Sequence, residues 1–321
     1  MKNLNKLIHL FLQELNPLED KTIVIGYSGG ADSTALLHLL KKKQDFFSFN
    51  LKAVFFSHEG SPLIENEKEL ISHCKLFCRE INVNLKVHPL YLEKQKNQSW
   101  ESSGRMGRMS FYENNRPDYV FLGHHQDDQD ETTMIQLFRG AGKGISAMKK
   151  VENFYCRPFL DIHKEDIYQY LNNNKISWIE DSTNTNIEFA RNFWRLEGLP
   201  TIKKYYPQYS QQLDLLREKT TELVQISKEL AVVDGLDNLL AGQSLNVKAL
   251  NDLRLKNLIS QFYSNHKISI GKPYVENKIN EYRLKNNIVF EKKEIYLILD
   301  NGNLNIQILS NTHLKKAANK L

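Results

Sequence analysis

The sequence predicts an α/β protein, a mostly parallel sheet with helices on both faces, followed by a smaller α+β domain. Three observations carry this reading. Strand-like and helix-like segments alternate from residue 20 to about 180, the pattern that βαβ units leave in a sequence. Polar clusters follow the strand candidates, where open parallel sheets bind their ligands. Near residue 200 the alternation gives way to long helical patterns and then to strand-like runs.

Taken in order, Leu4, Leu7, Ile8, Phe11, Leu12 and Leu15 recur at the spacing of an amphipathic helix. This is a core-facing stripe, not the unbroken apolar block of a signal peptide. Strands are expected at Thr22–Gly26, Leu51–Phe56, Asn84–Val87 and Tyr119–Leu122, with helices between them such as Ile64–Glu80 and Trp100–Asn115. Gly104 and Gly107 each cost the last of these helices about 1 kcal/mol of propensity, so a loop-like stretch is expected there. The segment "LPTIKKYYPQYS" carries two prolines and a basic-aromatic cluster before a helical run, Gln211–Val233. "DGLDN" and "AGQS" break the helical pattern, and "IVFEKKEIYLILDNG" and "LNIQIL" read as further strands. The expected division is a catalytic domain over 1–207, then a linker helix and small C-terminal domain over 208–321.

Composition narrows the class. Residues 1–200 hold 25 Lys+Arg against 26 Asp+Glu, and residues 201–321 hold 18 against 12. A basic excess confined to the C-terminal part points to a polyanionic partner. Cys74, Cys78 and Cys156 are too few for a disulfide framework, and the four-residue spacing of the first two suits neither a CxxC pair nor half a zinc site. A reducing cytoplasm fits them. No apolar stretch approaches the roughly 20 residues of a membrane span, so no membrane partner is expected.

The first polar cluster, "YSGGADS", lies between a strand and a helix. It lacks the lysine of a Walker loop, and "GAGKG" at 140–144 lacks both the first glycine and the Ser/Thr of that motif. Gly29 and Gly30 allow backbone N–H groups to approach an anion closely. Ser28 and Ser33 add hydroxyl donors, and Ser33 or Thr34 could cap the helix. Asp32 inside an anion cradle is repulsive unless a divalent cation intervenes. The turn therefore implies phosphate with Mg²⁺. Ser28, Gly29, Gly30, Ala31, Asp32 and Ser33 are the expected phosphate-binding residues, and Asp32 the candidate metal ligand.

This hexapeptide resembles the signature of the N-type ATP pyrophosphatases, the PP-loop or adenine nucleotide alpha-hydrolase-like superfamily. Its members cleave ATP between the α and β phosphates and activate a substrate oxygen as an adenylate. A second segment, "LGHHQDDQDETTMIQLFRGAG", sets His124, Asp128 and Glu131 at i, i+4 and i+7, one face of an expected helix. Asp127 and Asp130 point elsewhere on that helix and read as solvated. Together the two segments resemble the tRNA(Ile)-lysidine synthetases, whose pattern reads His-His-x-x-Asp-Gln-x-Glu-Thr and then Arg-Gly-Ala-Gly. "RPFLDIHKEDIYQYLNNNKISWIEDSTN" and "FARNFWR" resemble the same family's later motifs, the second supplying Arg191, Asn192 and Arg195. The likeness covers roughly residues 20–207, in order.

The resemblance implies a ligase that adenylates C2–O of cytidine 34 in the CAU-anticodon isoleucine tRNA. Free L-lysine then attacks C2 and displaces AMP. Asp128 and Glu131 would position the lysine and accept a proton, and His124 would donate to the cytosine oxygen or the α-phosphate. Arg105, with Glu101, falls where the family shows Glu-x-x-x-Arg, and it could clamp a carboxylate or phosphate. The catalytic set is thus Asp32, Arg105, His124, Asp128 and Glu131. Arg191, Asn192, Arg195, Lys203 and Lys204 are candidate tRNA contacts, with Lys292-Lys293 and Lys315-Lys316 as further basic pairs. The second strand is followed by Ser57-His58-Glu59-Gly60 where relatives often show Asn-His-Gly, and His58 is given no role. A homodimer is an open assembly. The alternatives are a tRNA thiolase of the same superfamily, which would want paired cysteines, and a non-catalytic tRNA- or nucleotide-binding module.

Overall fold

The computed structural model describes residues 3–57, 67–90, 100–140, 145, 147–179 and 190–308. His58 to Gly60, the segment 180–184 ("EDSTN"), Ala141 and Gly142, Lys315-Lys316 and the side chain of Glu101 lie outside the described residues. The chain divides into two compact units. One holds residues 1–135 and 147–213, the other 136–146 and 214–321.

The first unit is built on a six-stranded sheet. Its elements are α1 (Leu4–Glu14), β1 (Thr22–Gly26), α2 (Ala31–Phe47), β2 (Asn50–Ser57), α3 (Glu67–Glu80), β3 (Asn84–Pro89), α4 (Trp100–Asn115), β4 (Tyr119–Phe121), α5 (Gln126–Phe138), β5 (Val151–Glu152), β6 (Tyr155–Cys156), α6 (Lys164–Asn173), α7 (Ala190–Phe193) and α8 (Leu199–Tyr205). A π-helical turn, Trp194–Gly198, joins the last two. The strand order is β3-β2-β1-β4-β6-β5. All pairs are parallel except the β5–β6 hairpin at the edge. The expected strands are present to within two residues at each end, because their hydrophobic runs are bounded by clear turn residues.

Both faces are covered. α1, α2, α3 and α6 pack on one side through Ile8, Leu12, Leu36, Leu40, Phe77 and Ile167, all in one buried cluster with Ile23 and Ile25 of β1. α4 packs on the other through Phe111 and Tyr112 against Val24, Val54 and Val120. Side chains alternate across a strand, so Ile23 and Ile25 face one layer and Val24 the other. α4 is continuous through both glycines, which corrects the loop-like expectation. A Cβ on Gly107 would lie 3.2 Å from Leu90 Cδ2, so the glycine lets α4 approach the end of β3.

Strand order reverses between β1 and β4. The chain runs outward from β1 to β2 and β3, then returns through α4 to β4 on the other side of β1. At such a switch point the loops leaving the two strands diverge and open a crevice at the carboxyl ends. The loops at this crevice are residues 27–30 and 122–125.

The second unit contains α9 from Asp214 onward (the helix spans Tyr209–Val233), α10 (Leu236–Leu240), β7 (Leu245–Asn246), α11 (Asp252–Asn265), α12 (Lys272–Lys285), β8 (Asn287–Lys292), β9 (Ile295–Asp300) and β10 (Asn303–Ile308). Its sheet, β7-β10-β9-β8, is antiparallel. Phe262, Tyr263, Phe290, Leu297, Leu299 and Leu304 form its separate core. Among the described residues no helix is long and apolar enough to cross a membrane.

Candidate active site at the β1–β4 switch point

The turn after β1 takes its shape from two glycines and two serines. Gly29 has φ +79°, a conformation open to glycine at little cost. A Cβ there would also lie 2.9 Å from Cys74 Sγ and Leu70 Cδ1. Gly30, in extended conformation, is the N-cap of α2, with no side-chain cap. The expectation that Ser33 or Thr34 caps the helix is therefore corrected. Ser33 sits inside the first turn, donates from Oγ to Gly30 O (3.1 Å), accepts from Ser28 N (3.3 Å) and lies 3.2 Å from Ser28 Oγ. Thr34 N makes the first intrahelical bond, to Gly30 O. The N–H groups of Ala31, Asp32 and Ser33 precede that bond, so the helix start and its dipole are left for an anion.

Asp32 stands at the mouth of this turn. Its Oδ2 lies 3.6 Å from His125 Nε2, while its Oδ1 is buried without a hydrogen-bond partner. The loop after β4 comes close enough that a Cβ on Gly123 would lie 3.1 Å from the Asp32 carbonyl carbon. Gly123 thus brings the two loops of the switch point into contact.

His124 precedes α5, which starts at Gln126, so the expected single helical face of His124, Asp128 and Glu131 holds only for the two acids. Its Nδ1 is buried without a partner. Burial pushes its pKa down to about 4, with Asp128 opposing and Arg157, Arg191 and Arg105 assisting. His124 is therefore neutral at pH 7 and can act as a hydrogen-bond donor or acceptor.

The linkage sign follows from that depressed value. The unfolded imidazole, with pKa near 6.5, binds a proton that the folded one refuses. The His124 contribution is full above about pH 6.5 and is lost as pH falls toward 4. Replacing His124 by Gln is expected to flatten the acid limb of the stability profile by about 3 kcal/mol between those values. Urea melts at pH 4.5 and 7 on both proteins measure this. Parallel losses in the two would refute it.

His125, absent from the residues singled out by sequence, is the centre of the acid cluster. It is 1% exposed, with Nε2 at 3.5 Å from Asp128 Oδ2 and Nδ1 at 3.3 Å from Asp127 Oδ2. Those carboxylates and Asp32 raise its pKa well above the usual value against burial. Asp127 and Asp130 are not solvated as the helical wheel suggested. Asp127 accepts from Lys164 N (2.9 Å) and pairs with His163. Asp130 is fully buried, accepting from Ser210 Oγ (2.6 Å) and Gln126 Nε2 (3.2 Å). Burial of an unpaired carboxylate costs several kcal/mol, so these partners decide whether the helix can carry so many acids.

Asp128 and Glu131 meet the arginines of "FARNFWR". Arg195 donates from Nε to Glu131 Oε1 (2.7 Å), and from its terminal nitrogen to Asp128 Oδ1 (3.2 Å) and Glu131 Oε2 (3.1 Å). Arg191 Nε donates to Glu131 Oε2 at 3.1 Å. Glu131 is 1% exposed. Burial pushes its carboxyl above the ordinary range, and Arg195 opposes that shift. Asp128 lies below its ordinary value because His125, His124 and Arg191 outweigh its burial. Asn192 is buried, whereas Lys203 is exposed and pairs at 3.7 Å with Glu165. Lys204 lies over the exposed Tyr205 ring. Arg105 is exposed on α4, with its charge acting on His124. Asp32, Asp128, Glu131, Arg191 and Arg195 thus gather around His125 at one crevice, Arg105 acts on His124 only through its charge, and Lys203 and Lys204 are surface cations.

Among the described residues one group of metal-capable side chains gathers, Asp127, His163 and Glu165, and it does not include Asp32.

A model of the PP-loop domain matches residues 3–202. The tRNA(Ile)-lysidine synthase of Wigglesworthia glossinidia brevipalpis is 30% identical, over 92% of this chain and 79% of that protein. The chain belongs to the tRNA(Ile)-lysidine synthase family of PP-loop proteins. The family member of Nitrosomonas europaea is 32% identical over 74% of this chain. That match takes in 53% of the Nitrosomonas protein, so the chain spans about half of this relative. The U34-tRNA thiolase NcsA from Methanococcus maripaludis superposes with a TM-score of 0.56 at 15% identity, covering 69% of this chain and 78% of that one. That likeness shows the shared fold. Membership of the PP-loop family implies the use of ATP.

Proposed function

We propose that the chain is a tRNA(Ile)-lysidine synthase, a cytoplasmic ligase that joins free L-lysine to C2 of cytidine 34 in the CAU-anticodon isoleucine tRNA. The observation that carries this is that Asp32 of the PP-loop turn and Asp128 of α5, itself joined to Glu131 through Arg195, meet at His125 Nε2 at one switch point. ATP binds on the turn over Ser28–Ser33, with its departing pyrophosphate on the free N–H groups of the α2 start. Asp32 fits a Mg²⁺ ion, since its Oδ1 is buried and without a partner, and the ion would neutralise phosphate charge there. His124, neutral and unpaired, donates to the cytosine oxygen or α-phosphate, and Arg105 reaches the same region from α4.

The nucleophile sets the next demand. A lysine side chain with pKa near 10.4 is neutral in about one molecule in 2,500 at pH 7, a handicap of about 4.6 kcal/mol. Asp128 offsets this by holding the amine and accepting its proton. Glu131 has both oxygens taken by Arg191 and Arg195, and it fixes those guanidiniums beside Asp128. Residues 208–321 are proposed as linker helix and tRNA-binding domain, their basic excess meeting phosphates. The thiolase reading is less supported. Cys74, Cys78 and Cys156 are buried, with thiols pushed up to about 12 by burial, which disfavours the thiolate that sulfur transfer needs.

The protein incubated with ATP, Mg²⁺, radiolabelled lysine and a CAU-anticodon isoleucine tRNA is expected to label that RNA. Properly folded protein that leaves the RNA unlabelled would overturn the assignment.

A further inference from the structure

Arg157, whose charge acts on His124, belongs to a second group of polar side chains that the proposed mechanism does not use. Arg157, at the carboxyl end of β6, is 6% exposed, and its Nε has no hydrogen-bond partner. One terminal nitrogen donates to Lys149 O at 2.9 Å and lies 3.7 Å from Glu152 Oε2. Its guanidinium carbon sits 5.9 Å from the Tyr155 ring centroid. Tyr155 and Tyr112 pack edge to face at 6.2 Å, and both hydroxyls are buried without partners. The Tyr112 hydroxyl lies against the last residue of β1, 2.7 Å from where a Gly26 Cβ would stand. His124, with its own orphan Nδ1, feels the charges of Arg157 and Arg105.

Buried polar groups are almost always paired in a folded protein, so an arginine Nε and two phenol hydroxyls left unpaired together call for a ligand. Arginine can only donate, and a phenol hydroxyl donates readily. Aromatic rings beside them suit a planar heterocycle. The required partner is therefore flat and rich in acceptors along one edge. Cytosine presents two adjacent acceptors, O2 and N3. Uracil keeps O2 but carries a hydrogen at N3, which would face donors.

We propose that Arg157, Tyr112 and Tyr155 form a donor pocket that takes the O2/N3 edge of the target pyrimidine and distinguishes cytosine from uracil. This rests on the lysidine synthase reading and adds the residues that choose the base. A site built to hydrogen-bond its substrate rejects an analogue with the wrong polarity strongly, because buried groups are then left unpaired.

The test compares lysine incorporation into anticodon stem-loops carrying C34 or U34, using the full chain. The wild type is expected to favour C34 by about 10³-fold or more. Arg157→Gln is expected to reduce that ratio by about 10²-fold, Arg157→Lys to restore part of it, and Tyr155→Phe to reduce it by about 10-fold. The thermal shift on adding ATP should be unchanged in all three. Tyr155→Phe removes a single oxygen and decides the matter if Arg157→Gln fails to fold. Ratios unchanged in the folded variants, even with lower rates, would leave these residues a packing role and overturn the proposal alone. A wild type that labels neither RNA would overturn the lysidine synthase reading with it.

Discussion

Asp32→Asn is expected to lower tRNA-dependent pyrophosphate release by at least ~10³-fold, about 4 kcal/mol of transition-state stabilisation. Asp32 is the one acid in the PP-loop turn, with Oδ1 buried and free. Asparagine keeps the shape of the side chain and removes its charge, so a cation there would lose its anionic ligand. The fold should tolerate the change. The side chain is 31% exposed and makes one long ion pair to His125, which keeps Asp127 and Asp128 as partners. A thermal melt on the same samples separates a lost charge from a lost fold. Release within 10-fold of wild type, at unchanged melting temperature, would remove Asp32 from the reaction. Raising the Mg²⁺ concentration should not restore the rate, because the missing ligand belongs to the protein.

Much of this site was legible because its chemistry is carried by short ordered motifs. The hydrophobic runs of β1 and β4 end where the motif residues begin, so strand ends and site coincide. Other features depend on contacts between distant residues. Asp130 looks like a solvated helix acid until Ser210, 80 residues away, is found on its carboxylate. Arg191 and Arg195 look like free cations because nothing local reveals that Glu131 occupies them. His125 had a local signal, three residues before Asp128. It was obscured because the sequence does not say which ring of a His-His pair meets the acids. The glycines of α4 misled for a related reason. Propensity counts their local cost, whereas Gly107 is there for the approach to Leu90.

Asp128→Asn is expected to separate the two halves of the reaction. Pyrophosphate release should stay within ~10-fold of wild type, while lysine transfer falls by at least ~10³-fold. The carboxylate sits 3.5 Å from His125 Nε2, the nitrogen that Asp32 approaches at 3.6 Å, and Arg195 reaches its Oδ1 at 3.2 Å. The neighbouring cations hold it ionised well below neutral pH. Its charge is therefore available to attract an ammonium over the whole working range, and the proton it takes up is released to water. Asparagine attracts no ammonium and accepts no proton, so the ~4.6 kcal/mol handicap of the protonated nucleophile returns. High pH supplies neutral lysine directly, and the variant should recover about tenfold per unit between pH 7.5 and 9.5, a slope the wild type lacks. The readout is a single-turnover assay with pyrophosphate and labelled lysine followed in parallel. Equal loss of both signals would assign Asp128 to nucleotide binding, and loss of lysine transfer without recovery at high pH would leave it a positioning charge with no part in the proton transfer.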